Sequence, residues 1–278
     1  MRAELVSIAT PAEPLDGLYY APQGRAPVGA VLLMHGNCKN FYTGPSRFLV
    51  PDLLAAGFAV LAFNRRGHDV MYTRGRDGRG GAFQLAAEMI EDNALATEWL
   101  AARGHPAPAV VGHSNGGMLA VAHVAARPET PALVLLSAHR GGRELAGMIS
   151  AKGLFGGDRL EELTAEAEAL VGAGRGDTLM LLPGWWHVSS AASFLDYARN
   201  LPAILELAPQ IRCPSLFLRG GLEDPEIYPA EAFAGRTAGP ASVRVIPDCD
   251  HFYTGQEAPV AAAVAGWLAA QFEEAPAP

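Results

Sequence analysis

Gly112-His113-Ser114-Asn115-Gly116-Gly117 follows directly on the apolar pair Val110-Val111 and leads into Met118–Ala126, a segment of good helix formers. A strand that turns sharply into a helix needs small residues on either side of the turn, because the backbone there adopts angles and approaches that a Cβ opposes. Ser114 at the apex would stand exposed above the end of its strand. A Gly-x-Ser-x-Gly pentapeptide alone arises readily by chance in a chain this rich in alanine and glycine. Its place between an apolar strand and a helix, near the middle of the chain, is what makes it informative.

Outward from this turn, short aliphatic runs recur between amphipathic stretches. They are residues 28–34, 58–63, 109–111, 132–137, 215–218 and 242–246, with 4–8 and 15–20 expected as an antiparallel hairpin at the edge. Continuous apolar runs of this length fit strands buried on both faces, so the pattern predicts an α/β chain with a mostly parallel sheet of about eight strands and helices on both faces. Ala86, Ile90, Ala94, Thr97 and Leu100 fall on one helical face, as do Val260, Val264, Trp267 and Leu268. Residues 46–56 read as a helix ended by Gly57, with Pro51 delaying or kinking it. The stretch 140–210 is too long for a simple connection. It is expected to form a cap inserted between two parts of the core, 1–139 and 211–278. Within it, Asp158 with Glu161 predicts a capped helix start, followed by Leu160, Leu163, Ala167 and Leu170 at helical spacing. The tail 273–278 is expected to fray.

The 278 residues, half of them hydrophobic, allow a large core, and a formal charge of -8 argues against nucleic acid or anionic membrane as partners. The N-terminus has no cationic segment followed by an apolar run, and no stretch reaches membrane-spanning length. Cys38, Cys213 and Cys249 lack metal or redox spacing and read as free thiols, which favours a cytoplasmic setting. Walker-type, dinucleotide-binding and His-Glu-x-x-His signatures are absent from the sequence, so neither metal nor cofactor is expected. The arginine-rich stretch around Arg65, Arg66, Arg74, Arg76 and Arg79 reads mainly as solvated and loop-stabilising.

A serine hydroxyl attacks only when a base removes its proton and donors receive the oxyanion. In a strand-turn-helix setting the expected chain order is serine, acid, histidine. His251, after the last strand, is the candidate base. For the acid, the run 216–218 leads into Arg219-Gly220-Gly221-Leu222-Glu223-Asp224-Pro225, from which Asp224 is chosen, with Glu223 expected to point differently and Asp248 and Asp250 to shape the histidine loop. Backbone N–H groups of Asn37 and Asn115 are the candidate oxyanion donors. The Asn37 side chain serves either a turn or the substrate. Trp185 and Trp186 fit equally a cap core or a substrate pocket, and Phe252 is a further candidate for the pocket wall.

Together, His35-Gly36-Asn37, the turn at Ser114, Asp224 after a strand and a late His251 resemble the α/β-hydrolase superfamily over nearly the whole chain. Gly57–Leu61 followed by Asn64-Arg65-Arg66-Gly67-His68 is similar to that family's strand and turn ahead of the serine. Pro183–Ala191 faintly resembles the caps of siderophore-type and related small-molecule esterases. The resemblance implies a serine hydrolase, carboxylesterase-like, that cleaves a small to medium, largely uncharged ester through an acyl-enzyme on Ser114. Amide, thioester, lactone or carbon-carbon hydrolysis and acyl transfer use the same residues, and a non-catalytic binding protein is the remaining alternative.

Overall fold

A computed structural model describes residues 1–184 and 188–273. Its central sheet is built from β1 (Ala3–Ile8), β2 (Leu15–Tyr20), β3 (Gly29–Met34), β4 (Phe58–Phe63), β7 (Ala109–His113), β8 (Leu133–Leu136), β11 (Ser215–Gly220) and β12 (Ala241–Ile246). The strand order is β1-β2-β4-β3-β7-β8-β11-β12. β1 and β2 pair antiparallel at one edge, β2 meets β4 antiparallel, and every later pairing is parallel. Two small hairpins lie outside the sheet, β5 (Tyr72–Arg74) with β6 (Asp77–Arg79) and β9 (Leu179–Leu181) with β10 (Val188–Ser190).

The helices are α1 (Pro45–Phe48), α2 (Val50–Ala55), α3 (Ala86–Ala101), α4 (Asn115–Ala125), α5 (Leu145–Ser150), α6 (Leu160–Gly172), α7 (Ala191–Asn200), α8 (Ile204–Leu207), α9 (Ala230–Ala234) and α10 (Glu257–Glu273). Alternate residues of β3 explain why its run is unbroken. Ala30, Leu32 and Met34 join the core layer that contains residues of α3 and α4, and Val31 and Leu33 join the layer of α2 and α10. A strand covered on both faces has no position left for a polar side chain.

Three helical expectations shift. The segment 46–56 is two short helices broken at Leu49, with Pro51 in the first turn of α2, where its missing N–H costs nothing. α3 buries Ala86, Met89, Asp92, Asn93, Ala96, Thr97 and Leu100, whereas Ile90 is exposed. The polar residues Asp92 and Asn93 on the inward face disguised its register. α6 begins after a 3-10 turn at Gly157–Arg159, so Asp158 lies inside that turn and no side chain caps the helix. Its Leu163 and Ala167 are nevertheless buried, and Leu160 and Leu170 pack against the same apolar cluster.

Residues 140–210 carry α5, α6, the β9–β10 hairpin, α7 and α8. Phe155, Leu163, Met180, Phe194 and Tyr197 from this segment belong to the same apolar cluster as Leu32 and Met118 of the sheet region. Phe155 stacks on Phe194 at 4.8 Å between ring centroids.

The buried polar residues of α3 have a purpose in the fold. Asp92, fully buried, receives the Arg66 backbone N–H at 2.8 Å and its guanidinium at 2.6 and 2.8 Å, tying the loop after β4 to the helix. Arg66 is only part-buried and keeps Glu88 and Glu91 if Asp92 is removed, so the loss is mainly of charge-assisted hydrogen bonds, about 1.5–3 kcal/mol. Asp92→Ala is expected to lose about that much in urea unfolding, whereas Glu91→Ala, which removes an exposed contact to the same arginine, changes stability by roughly 0.5 kcal/mol or less.

Candidate active site

The carboxyl ends of β3, β7, β8 and β11 deliver the site, at the sheet edge where open α/β folds bind ligands. At the end of β7, Ser114 takes φ 56° and ψ -119°, and α4 begins at the next residue. A non-glycine residue in that region is strained and persists only where its surroundings hold it. Here they do so by close packing. A Cβ on Gly116 would lie 2.2 Å from the Met34 carbonyl oxygen and 2.4 Å from that of His35, and one on Gly112 would lie 2.3 Å from the carbonyl oxygen of Gly116. Gly117 is equally confined, by Ala138 at 2.5 Å. Each glycine of the sequence 112–117 thus admits a neighbouring backbone or side chain into the space that a methyl would fill.

His251 lies in the loop after β12. Its Nε2 is 3.0 Å from Ser114 Oγ and its Nδ1 is 2.6 Å from Glu223 Oε1. Glu223, not Asp224, is therefore the carboxylate that meets the histidine. Its other oxygen accepts from Ser137 Oγ at 2.6 Å and from the Gly220 backbone N–H at 2.7 Å. Ser137 is in turn 2.8 Å from the buried Tyr253 hydroxyl, which donates to the Leu218 carbonyl at 3.1 Å.

Asp224 is occupied elsewhere. Its Oδ1 accepts the Glu226 N–H at 2.9 Å and its Oδ2 pairs with Lys152 at 2.8 Å, while its carbonyl receives Ile227 and Tyr228. The lysine and the Glu226 N–H hold the Asp224 carboxyl below its ordinary pKa. An aspartate ahead of proline starts a turn by binding the backbone two residues on. The Asp224-Pro225 dipeptide was thus the available signal that this carboxylate belongs to the turn. The longer glutamate reaches back past Gly220 to the strand end. Asp250 accepts the Phe252 and Thr254 N–H groups at 3.0 and 2.9 Å, in the loop-shaping part expected of it.

Three other histidines near the site, His35, His113 and His139, and the more distant His123 on α4, are buried and neutral. His113 Nε2–H donates to the His251 carbonyl at 2.9 Å, setting the loop that carries the candidate base. His35 donates from Nδ1 to the Gly36 carbonyl at 2.8 Å and accepts the Arg65 N–H on Nε2 at 3.1 Å. Arg65 is buried rather than solvated: its Nη2 donates to the His35 carbonyl at 2.5 Å, and burial pushes its pKa down to about 10. Burial pushes His113, His123 and His139 down to about 3, and His35 well below its usual value.

Asn37 and Asn115 are buried at the ends of β3 and β7, and among the described residues neither backbone N–H has an acceptor. Asn115 opens α4, so its N–H carries the positive end of the helix dipole. Gln84 donates to Asn37 Oδ1, a contact that nothing in the sequence pattern pointed to. Phe252 is 43 % exposed, edge-on to His251 at 5.0 Å, and lines a cavity of about 220 Å³ with Lys39, Thr43, Ser46 and His113. Trp185 and Trp186 lie outside the described residues. Among the described residues no cluster of three metal-ligating side chains occurs, and no helix is long and apolar enough to cross a membrane. All three cysteines are free thiols.

Comparison with known proteins agrees with this architecture. The model of the alpha/beta hydrolase family matches residues 31–264. No curated protein matches. Solved structures do: a dienelactone hydrolase from Anabaena variabilis is 21 % identical with TM-score 0.59, covering 96 % of both chains. A Butyrivibrio proteoclasticus protein with ferulic acid bound is 17 % identical with TM-score 0.72, covering 97 % of this chain and 100 % of its own. A thermostable carboxyl esterase from Bacillus coagulans is 16 % identical with TM-score 0.71, covering 98 % and 99 %. At these identities the likeness is one of fold.

The neutral histidines set an acid limit. Below pH 6.5 the unfolded chain binds protons that the folded chain refuses until about pH 3, so stability falls as pH drops through that window. Thermal melts at pH 7.5 and 4.5 should show a lower midpoint in acid. His123→Gln, remote from Ser114 and bonded to Thr97 at 3.1 Å, should narrow the gap; an unchanged gap would remove His123 from the account.

Proposed function

The chain belongs to the alpha/beta hydrolase family, and from that premise we propose that it is a serine hydrolase cleaving carboxylic esters of small to medium, largely uncharged molecules. The observation that carries the reading is the unbroken line from Glu223 through His251 to Ser114, with hydrogen bonds of 2.6 and 3.0 Å. Ser114 Oγ attacks the ester carbonyl while His251 Nε2 takes its proton. The same histidine returns that proton to the departing alcohol, then activates water to release the acyl group from Ser114. Glu223 holds the ring in the tautomer that leaves Nε2 free to accept, and stabilises the imidazolium that forms. The backbone N–H groups of Asn37 and Asn115 receive the oxyanion, where preorganised donors are worth most.

Residues 140–210 act in this reading as the cap over the substrate space, and Phe252, beside His251, contributes to its wall. The neutrality of the buried histidines beside Ser114 favours an uncharged substrate over an ionic one. Glu223 replaces Asp224 as the acid, so the mechanism separates two adjacent carboxylates by experiment.

Hydrolysis of p-nitrophenyl esters of increasing acyl length tests the proposal and reads pocket depth. Ser114→Ala and His251→Ala are expected to lose about 10⁴-fold or more in kcat, and Glu223→Gln about 10³–10⁴-fold. Asp224→Asn removes only a surface ion pair worth at most about 1 kcal/mol, so its rate stays within about fivefold of wild type. Full turnover by Ser114→Ala would end the proposal, and the reverse ranking of the two acids would return the role to Asp224.

A further inference from the structure

Three hydrogen bonds lead from the 140–210 segment to the loop beside Ser114. In α7, the Asp196 carboxylate accepts the first backbone N–H of α3, at Ala86, over 2.6 Å. One turn earlier Ser193 Oγ donates to the Gln84 carbonyl at 2.7 Å, and the Ser193 N–H is itself held by the Ser190 hydroxyl at 3.1 Å. Gln84 then donates its side-chain Nε2–H to Asn37 Oδ1. Both amides are buried, Gln84 at 6 % and Asn37 at 4 % exposure.

This arrangement consumes the acceptor of Asn37 and leaves its donor over. Among the described residues Asn37 Nδ2 has no partner, although it is buried, and Gln84 Oε1 has none either. An amide NH₂ sealed from water without an acceptor costs free energy that folded chains rarely tolerate outside working sites. Its location is suggestive of use. Gly36, the preceding residue, lies so close to the serine that a Cβ there would be 3.4 Å from Ser114 Cβ and 3.1 Å from His113 Nδ1. In the structure the Gln84 Nε2–H faces the oxygen of the Asn37 amide, which leaves Nδ2 on the side away from Gln84.

We propose that Gln84 is a positioning residue that locks the Asn37 amide with its oxygen turned away and its Nδ2–H₂ turned toward the reacting carbonyl. Asn37 then gives the developing oxyanion a side-chain donor in addition to its backbone N–H. Docking of α7 through Asp196 and Ser193 keeps Gln84 in place, so the 140–210 segment and the oxyanion loop share one hydrogen-bond network. This inference rests on Ser114 being the nucleophile.

Four variants test it, with p-nitrophenyl butyrate turnover and the rate of Ser114 labelling by a fluorophosphonate as readouts. Gln84→Glu replaces the donor by a carboxylate that only accepts, which turns the Asn37 amide over and presents its oxygen to the oxyanion. Asn37→Asp keeps the bond from Gln84 but has no donor to offer. Each is expected to lose about 10²–10³-fold in kcat, the usual cost of one oxyanion donor, with KM nearly unchanged. Gln84→Leu frees the amide without reversing it and loses less. Asn37→Asp combined with Gln84→Leu loses no more than Asn37→Asp alone, since both act through one donor. Thermal melts identify any variant that is simply unfolded, and the nearly isosteric Gln84→Glu is the one least exposed to that failure. Equal losses in Gln84→Glu and Gln84→Leu that follow the melting temperature would make Gln84 merely structural. Wild-type kcat and labelling rates in Gln84→Glu and Asn37→Asp would overturn the inference while leaving the nucleophile intact. If wild type itself neither turns over nor labels at Ser114, the nucleophile reading fails, and this inference with it.

Discussion

The 2.6 Å hydrogen bond between Glu223 and His251 joins two loops that leave different strands, and the rest of the site is arranged around it. Glu223, in the loop after β11, is held by Ser137, which directly follows β8, and by the backbone of Gly220 at the end of β11, so its position is set by two strand ends. His251 is oriented on one side by that carboxylate and its loop is fixed on the other by His113. What remains to the imidazole is its Nε2, and that atom faces Ser114. A side chain with one free nitrogen at hydrogen-bond distance from a strained, elevated hydroxyl is arranged for proton transfer.

Steric exclusion supplies the second constraint. The turn at Ser114 exists because Gly112, Gly116 and Gly117 let strand ends approach to distances that a Cβ forbids. That approach brings the loop after β3, with Gly36 and Asn37, beside the serine. Arg65, buried under His35, fastens the same loop from beneath. The side of the site that carries Asn37 is therefore assembled by close packing and by hydrogen bonds to backbone.

Much of this was legible in the sequence, and the parts that were not have physical reasons. All eight sheet strands were readable: β3, β4, β7, β8 and β11 are buried on both faces and leave continuous apolar runs, whereas β1, β2 and β12, at or beside the sheet edges, are only partly buried and were found from their short aliphatic runs. The positions of Ser114 and His251 followed from turn chemistry and chain order. The choice between Glu223 and Asp224 did not, because neighbouring carboxylates differ only in reach and in which backbone groups they serve, and both are settled by tertiary neighbours: Lys152 for one, Ser137 and His251 for the other. On α3, Ala86, Thr97 and Leu100 of the expected stripe are buried, but Ile90 is exposed and Ala94 half-buried, because Asp92 is buried against Arg66, a pairing 26 residues apart that periodicity does not encode. Gln84 escaped notice for the same reason: nothing local marks a glutamine as the partner of Asn37.

The 140–210 segment shares its apolar residues with the main core and reaches the site through polar bonds at both ends, at Ser193 and Asp196 toward Gln84 and α3, and at Lys152 toward Asp224. Two adjacent acidic residues thereby have separate partners, His251 for Glu223 and the exposed Lys152 for Asp224. Proton NMR tests that division most directly. A short hydrogen bond from His251 Nδ1–H to a buried carboxylate produces a far-downfield exchange-protected resonance. The account predicts this signal in the wild-type protein and in Asp224→Asn, and its loss in Glu223→Gln. Its survival in Glu223→Gln together with its loss in Asp224→Asn would contradict the account.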